Sequence, residues 1–310
     1  MEEQHIAVLA EEIIEYLECK DDSIYIDGTL GRGGHTEKIL KSITDKGKVI
    51  AIDRDIVAID EVKNSLKGYK NLELVHDNYI NIPEILEKLK IKQVDGMIFD
   101  LGVSSPQFDN PERGFSYNYE ALLDMRMNQE QKLTAYDIVN NYSMDQLSDI
   151  INNYGEDRWA SRIAEFIVDF RKDKEIKTTF DLVEVIKAAI PAAARRSGGH
   201  PARRTFQALR IATNNELEQL KELISKIIPY LKAGARVCII SFHSLEDRIV
   251  KLGFRQLAKK CVCPPDFPIC VCDKEVRIKV ITRKPIIASD DELERNSRAR
   301  SAKLRVAEKL

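Results

Sequence analysis

Ile24-Tyr25-Ile26-Asp27-Gly28-Thr29-Leu30-Gly31-Arg32-Gly33-Gly34-His35-Thr36 is a short apolar run that ends in an acid and opens into a glycine-rich turn. The run reads as a buried strand, and the glycines present backbone N–H groups at the start of the next helix. Three ligand turns compete for this pattern. A phosphate-binding P-loop needs Lys-Ser/Thr after its glycines, but Gly34-His35 stands there, so that reading fails. A dinucleotide fingerprint needs a third small residue at 36, which is Thr, and fits poorly. The S-adenosylmethionine (SAM) turn, acid-x-Gly-x-Gly-x-Gly, fits with Thr29 in place of the first glycine. A purely structural turn is the remaining alternative. Asp53 argues against it, because it closes a second strand 20 positions after Gly33, where a carboxylate accepts hydrogen bonds from both ribose hydroxyls. NAD and SAM sites share that acid, so it indicates a nucleoside without choosing between them.

Outward from this turn, strands are expected at 24–27, 48–53, 72–76 and 94–100, with helical segments between them such as 35–43 and 55–67. Alternation of this kind implies βαβ units and a parallel sheet. From about 106 to about 205 there is no convincing strand. Ser143-Met144-Asp145-Gln146 is a capping box, 156–171 carries apolar residues at helical spacing, and a helix from Thr178 to Ile190 stops at Pro191. The α/β pattern then resumes. An amphipathic helix at 214–232 ends at Gly234, and strands follow at 235–241, 276–282 and 303–308. The sheet is therefore built from both ends of the chain, 1–105 and 206–310, around an all-helical insertion at 106–205.

Composition bounds the function. The 310 residues are 44% hydrophobic, enough for a sizeable core, and 32% charged with a formal net charge of −2. Nucleic-acid binding would therefore need a local basic patch rather than a polycationic surface. The acidic, amphipathic N-terminus is no signal peptide, and no apolar run approaches the ~18 residues of a membrane span. A cytoplasmic protein without a membrane partner is expected, in which structural disulfides are rare.

The fourth strand runs into Asp100-Leu101-Gly102-Val103-Ser104-Ser105-Pro106-Gln107. Together with YIDGTLGRGGHT (25–36), AIDRD (51–55), ERGFSY (112–117), LDMRM (123–127), HPARRTFQALRI (200–211) and ISFHSLEDRIVK (240–251), it closely resembles the ribosomal small-subunit methyltransferase H family, also called MraW. The likeness runs nearly end to end. One departure is His5-Ile6-Ala7-Val8-Leu9, where the family's His-x-Pro-Val-Leu carries a proline. The resemblance implies a Rossmann-like class I SAM-dependent methyltransferase fold. It implies methylation of a cytosine N4 in the decoding region of 16S rRNA, within the small ribosomal subunit. Carried over, it implies that Gly33, Gly34 and His35 contact SAM, that Asp53 holds the ribose, that Tyr79 lies against the adenine, and that Asp100 and Gln107 complete the pocket.

The chemistry asked of those residues is modest. SAM brings its own electrophile, so the protein supplies position and electrostatics. The cytosine amine has its lone pair delocalised into the ring, and acceptors that hold its hydrogens turn that pair toward the methyl. Asp100, with Ser104 and Ser105 in a proline-stiffened loop, is the expected catalytic group; the alternative is that Asp100 only binds the cofactor's amino-acid part. Phe108, Phe115, Tyr117 and Tyr119 are candidates to wall a flipped base or, equally, to pack a loop.

Residues 195–210 hold five arginines and no acid. There His200, Arg203 and Arg204 are expected to contact RNA, against a bland reading as a solvated loop. His243 either faces the site or belongs to a helix start capped by Ser244 with Asp247. Cys261-x-Cys263 and Cys270-x-Cys272 could hold a structural zinc, remain reduced thiols or form a disulfide. A SAM enzyme acting on a small molecule or DNA, and a non-catalytic RNA-binding assembly factor, are the competing functions.

Overall fold

The computed structural model describes residues 6–196, 199–261, 263, 269, 271–272 and 274–310, with the side chains of Ser105 and Pro106 outside that description. The chain divides into two compact units, one built from residues through Gly102 plus Leu217–Leu310, the other from Val103–Glu216. The second crossing thus falls at 216/217 rather than at 205/206. The reason is the helix Arg203–Asn214, which is amphipathic and buries Phe206 and Leu209 in the helical unit's core.

The first unit holds a seven-stranded sheet of β1 (Ile24–Asp27), β2 (Lys48–Asp53), β3 (Leu72–His76), β4 (Val94–Asp100), β5 (Leu231–Ser241), β6 (Ile278–Val280) and β7 (Lys303–Lys309), in the order β3-β2-β1-β4-β5-β7-β6. β1 to β5 pair in parallel, and β7 runs antiparallel to both β5 and β6. Because successive side chains on a strand point to opposite faces, the strands feed two separate cores. Ile26, Ile50, Ile52, Met97, Phe99, Val237 and Ile239 pack with Ile82, Ile85, Leu220, Leu223 and Phe254. Their neighbours Tyr25, Val49, Ala51, Ile98, Cys238 and Ile240 pack with Leu9, Ile13, Ile39 and Val62 on the other side. Helices therefore cover both faces, and this explains why the strands read as near-continuous apolar runs. Strand order reverses between β1 and β4, the switch point outside which open α/β sheets bind ligands.

One expected boundary moves. The helix after 215 ends at Lys226, a 3-10 turn occupies Ile228–Tyr230, and β5 already begins at Leu231. Pro229 lacks the N–H that another helical turn requires. Gly234 (φ +78°) lies instead within β5, in an exposed excursion where residues 232–235 stand opposite the single residue Asp95.

In the second unit, helices Ala135–Asn141, Met144–Gly155, Ala160–Asp173, Thr179–Ala189 and Arg203–Asn214 enclose a core that includes Leu147, Ile151, Ile163, Leu182 and Ile186. Among its described residues there is no strand, only the isolated bridge Leu122–Thr178. Reciprocal capping boxes start three of these helices, at Thr134/Asp137, Ser143/Gln146 and Thr178/Asp181. The ERGFSY and LDMRM segments are tied to each other and to the helix Arg203–Asn214 by buried hydrogen bonds. Arg113, buried, donates to the carbonyls of Arg126 (2.9 Å) and Met127 (3.0 Å), while Asn214 Nδ2 donates to Met125 O (2.7 Å).

Candidate active site

The glycine turn is held by side chains of its own sequence. Asp27, 1% exposed at the end of β1, accepts the Thr29 N–H (3.1 Å) on Oδ1 and the Thr36 hydroxyl (2.7 Å) on Oδ2. Burial pushes its carboxyl above the ordinary range. Thr29, which stands where a glycine was expected, uses its hydroxyl to accept the Asp100 N–H at 2.6 Å. That bond ties the turn after β1 to the end of β4. Nothing in the local sequence marks Thr29 and Thr36 as builders of this turn, because their partners, Asp100 and Asp27, reach them only in the folded chain. Gly33 (φ +77°) is the N-cap of the helix Gly34–Lys41. A Cβ at Gly28 would stand 2.3 Å from Phe99 Cε1, and one at Gly34 would stand 2.9 Å from Ala7 Cβ. Ala7, at the family's proline position, thus packs directly on the turn.

His35, 6% exposed, brings Nε2 to 3.6 Å from Asp100 Oδ2. Burial alone would lower the imidazole's pKa, but Asp100 and then Asp27 outweigh it and hold the ring above its usual value. At the end of β2, the half-buried Asp53 accepts Gly31 N–H on Oδ2 and Asp55 N–H on Oδ1, each at 2.9 Å. Burial lifts its carboxyl to about 6. Each oxygen keeps a lone pair for a hydroxyl donor. Tyr79, 6% exposed, stands edge-on to Phe99 with ring centroids 6.0 Å apart, and the Arg54 guanidinium lies 6.0 Å from its centre.

His243 is the N-cap of the helix Ser244–Leu257, so Ser244 is not. Its Nδ1 accepts the Glu246 N–H (3.4 Å), and the buried Glu246 accepts the N–H groups of Phe242 (2.8 Å) and His243 (3.3 Å). An acid three residues into the helix is the capping-box signature, with histidine in the serine's place.

Among the described residues of this unit, the buried side-chain atoms without a hydrogen-bond partner are His35 Nδ1 and Nε2, Asp100 Oδ1 and His243 Nε2. All lie at or after the carboxyl ends of β1, β4 and β5. Buried polar atoms are ordinarily satisfied, so this edge fits a polar ligand that brings both donors and acceptors, as the amino-acid part and ribose of SAM do.

The remaining predicted residues lie in the helical unit. Ser104 Oγ is buried without a partner, its N–H donates to the buried Gln107 Oε1 (3.1 Å), and its carbonyl accepts Phe108 N–H (3.1 Å). The Ser105 side chain lies outside the described residues. Phe115 is buried in the helical core, whereas Phe108 and Tyr119 are exposed. His200 stacks on Tyr117 (centroids 4.4 Å apart, planes 2° apart), and burial lowers its pKa. Arg203, Arg158 and Arg195 line a cavity of about 370 Å³ together with Trp159 and His200. Arg204 also lines it, but its guanidinium donates to the carbonyl of Glu156, the C-cap of the helix Met144–Gly155. Back in the α/β unit, the sulfurs of Cys261, Cys263 and Cys272 lie within 4.8 Å of one another; Cys270 lies outside the described residues. Among the described residues no helix is long and apolar enough to cross a membrane.

A sheet whose first five strands run parallel, with a glycine turn after β1, an acid at the end of β2 and unsatisfied polar groups at the switch point, is that of a SAM-dependent methyltransferase. The chain belongs to the MraW methylase family, whose model matches residues 2–310. It is similar to the ribosomal RNA small subunit methyltransferase H of Halothermothrix orenii, with 63% identity over 307 residues covering 99% of each chain. It is also similar to the protein of that name from Clostridium botulinum strain 657, with 54% identity over 310 residues covering 100% of each.

Proposed function

We propose that this enzyme methylates N4 of a cytosine in the decoding region of 16S rRNA, within the small ribosomal subunit, in the cytoplasm. The observation that carries the reading is Asp100 Oδ1, a buried acceptor without a partner at the strand-order switch point, beside an imidazole held toward its protonated form. SAM, when bound, supplies an electrophilic methyl on its sulfonium. Asp53 receives the ribose hydroxyls, and the turn from Gly33 to His35 lies along the amino-acid part. Asp100 Oδ1 accepts an N4 hydrogen, which turns the amine's lone pair out of conjugation and receives the proton that the nitrogen sheds. His35 stabilises the Asp100 carboxylate through charge. Ser104 and Ser105, in the segment after β4, are further proposed catalytic residues. The cavity lined by Arg203 and Trp159 suits RNA, since guanidinium groups meet phosphates and an indole stacks on an unpaired base. His200, Arg203 and Arg204 are its proposed RNA contacts, with Arg203 most available because Arg204 also caps a helix.

The test supplies the enzyme with methyl-labelled SAM and, in parallel, undermodified small subunits, free 16S rRNA and DNA. The labelled nucleoside is then identified by mass. Label on N4 of one cytosine in subunits supports the proposal. Label on another atom, or none while SAM remains bound, overturns the target assignment.

A further inference from the structure

We propose that Cys261, Cys263 and Cys272 hold a Zn²⁺ ion that organises the segment between the helix Ser244–Leu257 and β6. This site is remote in sequence from every residue given a catalytic or RNA-binding role above. Three observations carry it. First, the three sulfurs converge within 4.8 Å, and Cys272 Sγ lies 3.6 Å from Cys261 Sγ. Thiolates bound at about 2.3 Å around a tetrahedral zinc stand roughly 3.8 Å apart, whereas a disulfide needs about 2.05 Å. The spacing is that of ligands sharing an ion.

Second, backbone amides already point at the sulfurs. Cys263 N–H donates to Cys261 Sγ (3.3 Å), and Val271 N–H donates to Cys263 Sγ (3.4 Å). Such bonds stabilise thiolate charge and orient ligands around a bound metal. A cluster packed as neutral thiols would have no need of donors converging on its sulfurs.

Third, the described part of the segment has no apolar core of its own. Ile269 and Val271 are 73% and 69% exposed. The segment is anchored at its base, where Arg277 N–H donates to Leu257 O and Leu310 N–H donates to Arg277 O, each at 3.1 Å. Among the described residues beyond that base, little apolar burial offsets the entropy of ordering the chain, and a metal is the usual substitute for a missing core. A donor set of three thiolate sulfurs selects zinc over the oxygen-seeking divalent ions. Cys19 and Cys238 have different surroundings. Cys238 is fully buried in β5, and burial lifts the Cys19 thiol to about 11.

The experiment uses the full chain, purified under reductant without chelator, incubated with zinc chloride and freed of excess metal. Elemental analysis is expected to find about one zinc per chain in the wild type and in Cys19→Ser. Cys261→Ser and Cys263→Ser should fall to a small fraction of that. Replacement by Co²⁺ should give the intense visible bands and near-ultraviolet sulfur-to-cobalt charge transfer of tetrahedral thiolate coordination. This second readout needs only the wild-type protein, so a misfolded variant cannot mimic it. Chelation should open proteolytic cleavage between 259 and 277 while SAM binding persists. Absence of zinc from the reduced wild type, iron in its place, an octahedral cobalt spectrum, or zinc retained in Cys263→Ser would each overturn the site.

Discussion

The two edges of the parallel sheet handle polar groups in opposite ways. At the amino ends of the strands, charges are paired and wet. Lys48 meets Glu73 at 2.8 Å, and Lys232 meets Asp95 at 2.8 Å while Asp95 also accepts Ile24 N–H at 2.9 Å. At the carboxyl ends, Asp27, Asp53 and His35 carry raised pKa values, and Asp100 and His35 have buried atoms without a hydrogen-bond partner. One edge is closed for stability, and the other is left open at a cost that a ligand can recover. Both belong to one sheet packed between the same two cores, so the difference lies in the strand-end residues rather than in the fold.

The sharpest way to break this comparison is Asp100→Ala, with transfer measured in single turnover at saturating SAM. A loss of roughly 10²- to 10³-fold is expected for removing one preorganised polar group from the reacting centre. A wild-type rate would reduce Asp100 to a strand-end residue like those of the opposite edge.

Asp53→Ala is expected to weaken SAM binding about 10- to 100-fold by calorimetry, the worth of one or two charge-assisted hydrogen bonds. Unchanged affinity would remove Asp53 from the ribose role. The raised carboxyl adds a signature in pH. With a folded value of about 6 against 3.8 for the free group, the apoprotein holds this proton more tightly than the unfolded chain does. Its contribution to stability is fully present below about 3.8 and is lost as pH rises through 6. Asp27 and His35 shift in the same direction. The urea midpoint of the apoprotein should therefore rise between pH 7.5 and 6, where ordinary carboxylates do not titrate. SAM affinity should run the other way, falling as Asp53 takes up its proton. Asp53→Asn should flatten its share of both trends.

Arg203→Ala should lower the salt slope of RNA binding by about one, with SAM affinity unchanged. An unaltered slope would place this cavity away from RNA. The smallest effect belongs to the closed edge. Lys232, 49% exposed, makes a pair worth at most about 1 kcal/mol, so Lys232→Ala should shift the melting temperature by a few degrees at most and leave SAM binding alone. A large loss of SAM affinity there would erase the distinction between the edges.

Much of this was legible in the residues. The strands 24–27, 48–53, 72–76 and 94–100 fall where apolar runs and punctuating acids indicated, because a strand buried on both faces leaves a continuous hydrophobic signature. Asp53 was legible from its distance to Gly33. The helix stop before 228 was misread at Gly234, because a glycine in an excursion and a glycine after a helix look alike one residue at a time. Arg204 reads as free basic charge in the chain, and only folding brings it to the Glu156 carbonyl.

The amino-acid sequence by itself determined the order of elements, the glycine turn, the acid that follows β2 and the family, since each is local or a matter of spacing. Tertiary structure decided which polar atoms are left without partners. Asp100 comes to rest 3.6 Å from His35, 65 positions away in the chain, only because β1 and β4 lie side by side where the strand order reverses. Satisfaction of a buried hydrogen-bonding group depends on everything that packs around it, and no stretch of chain carries that information alone.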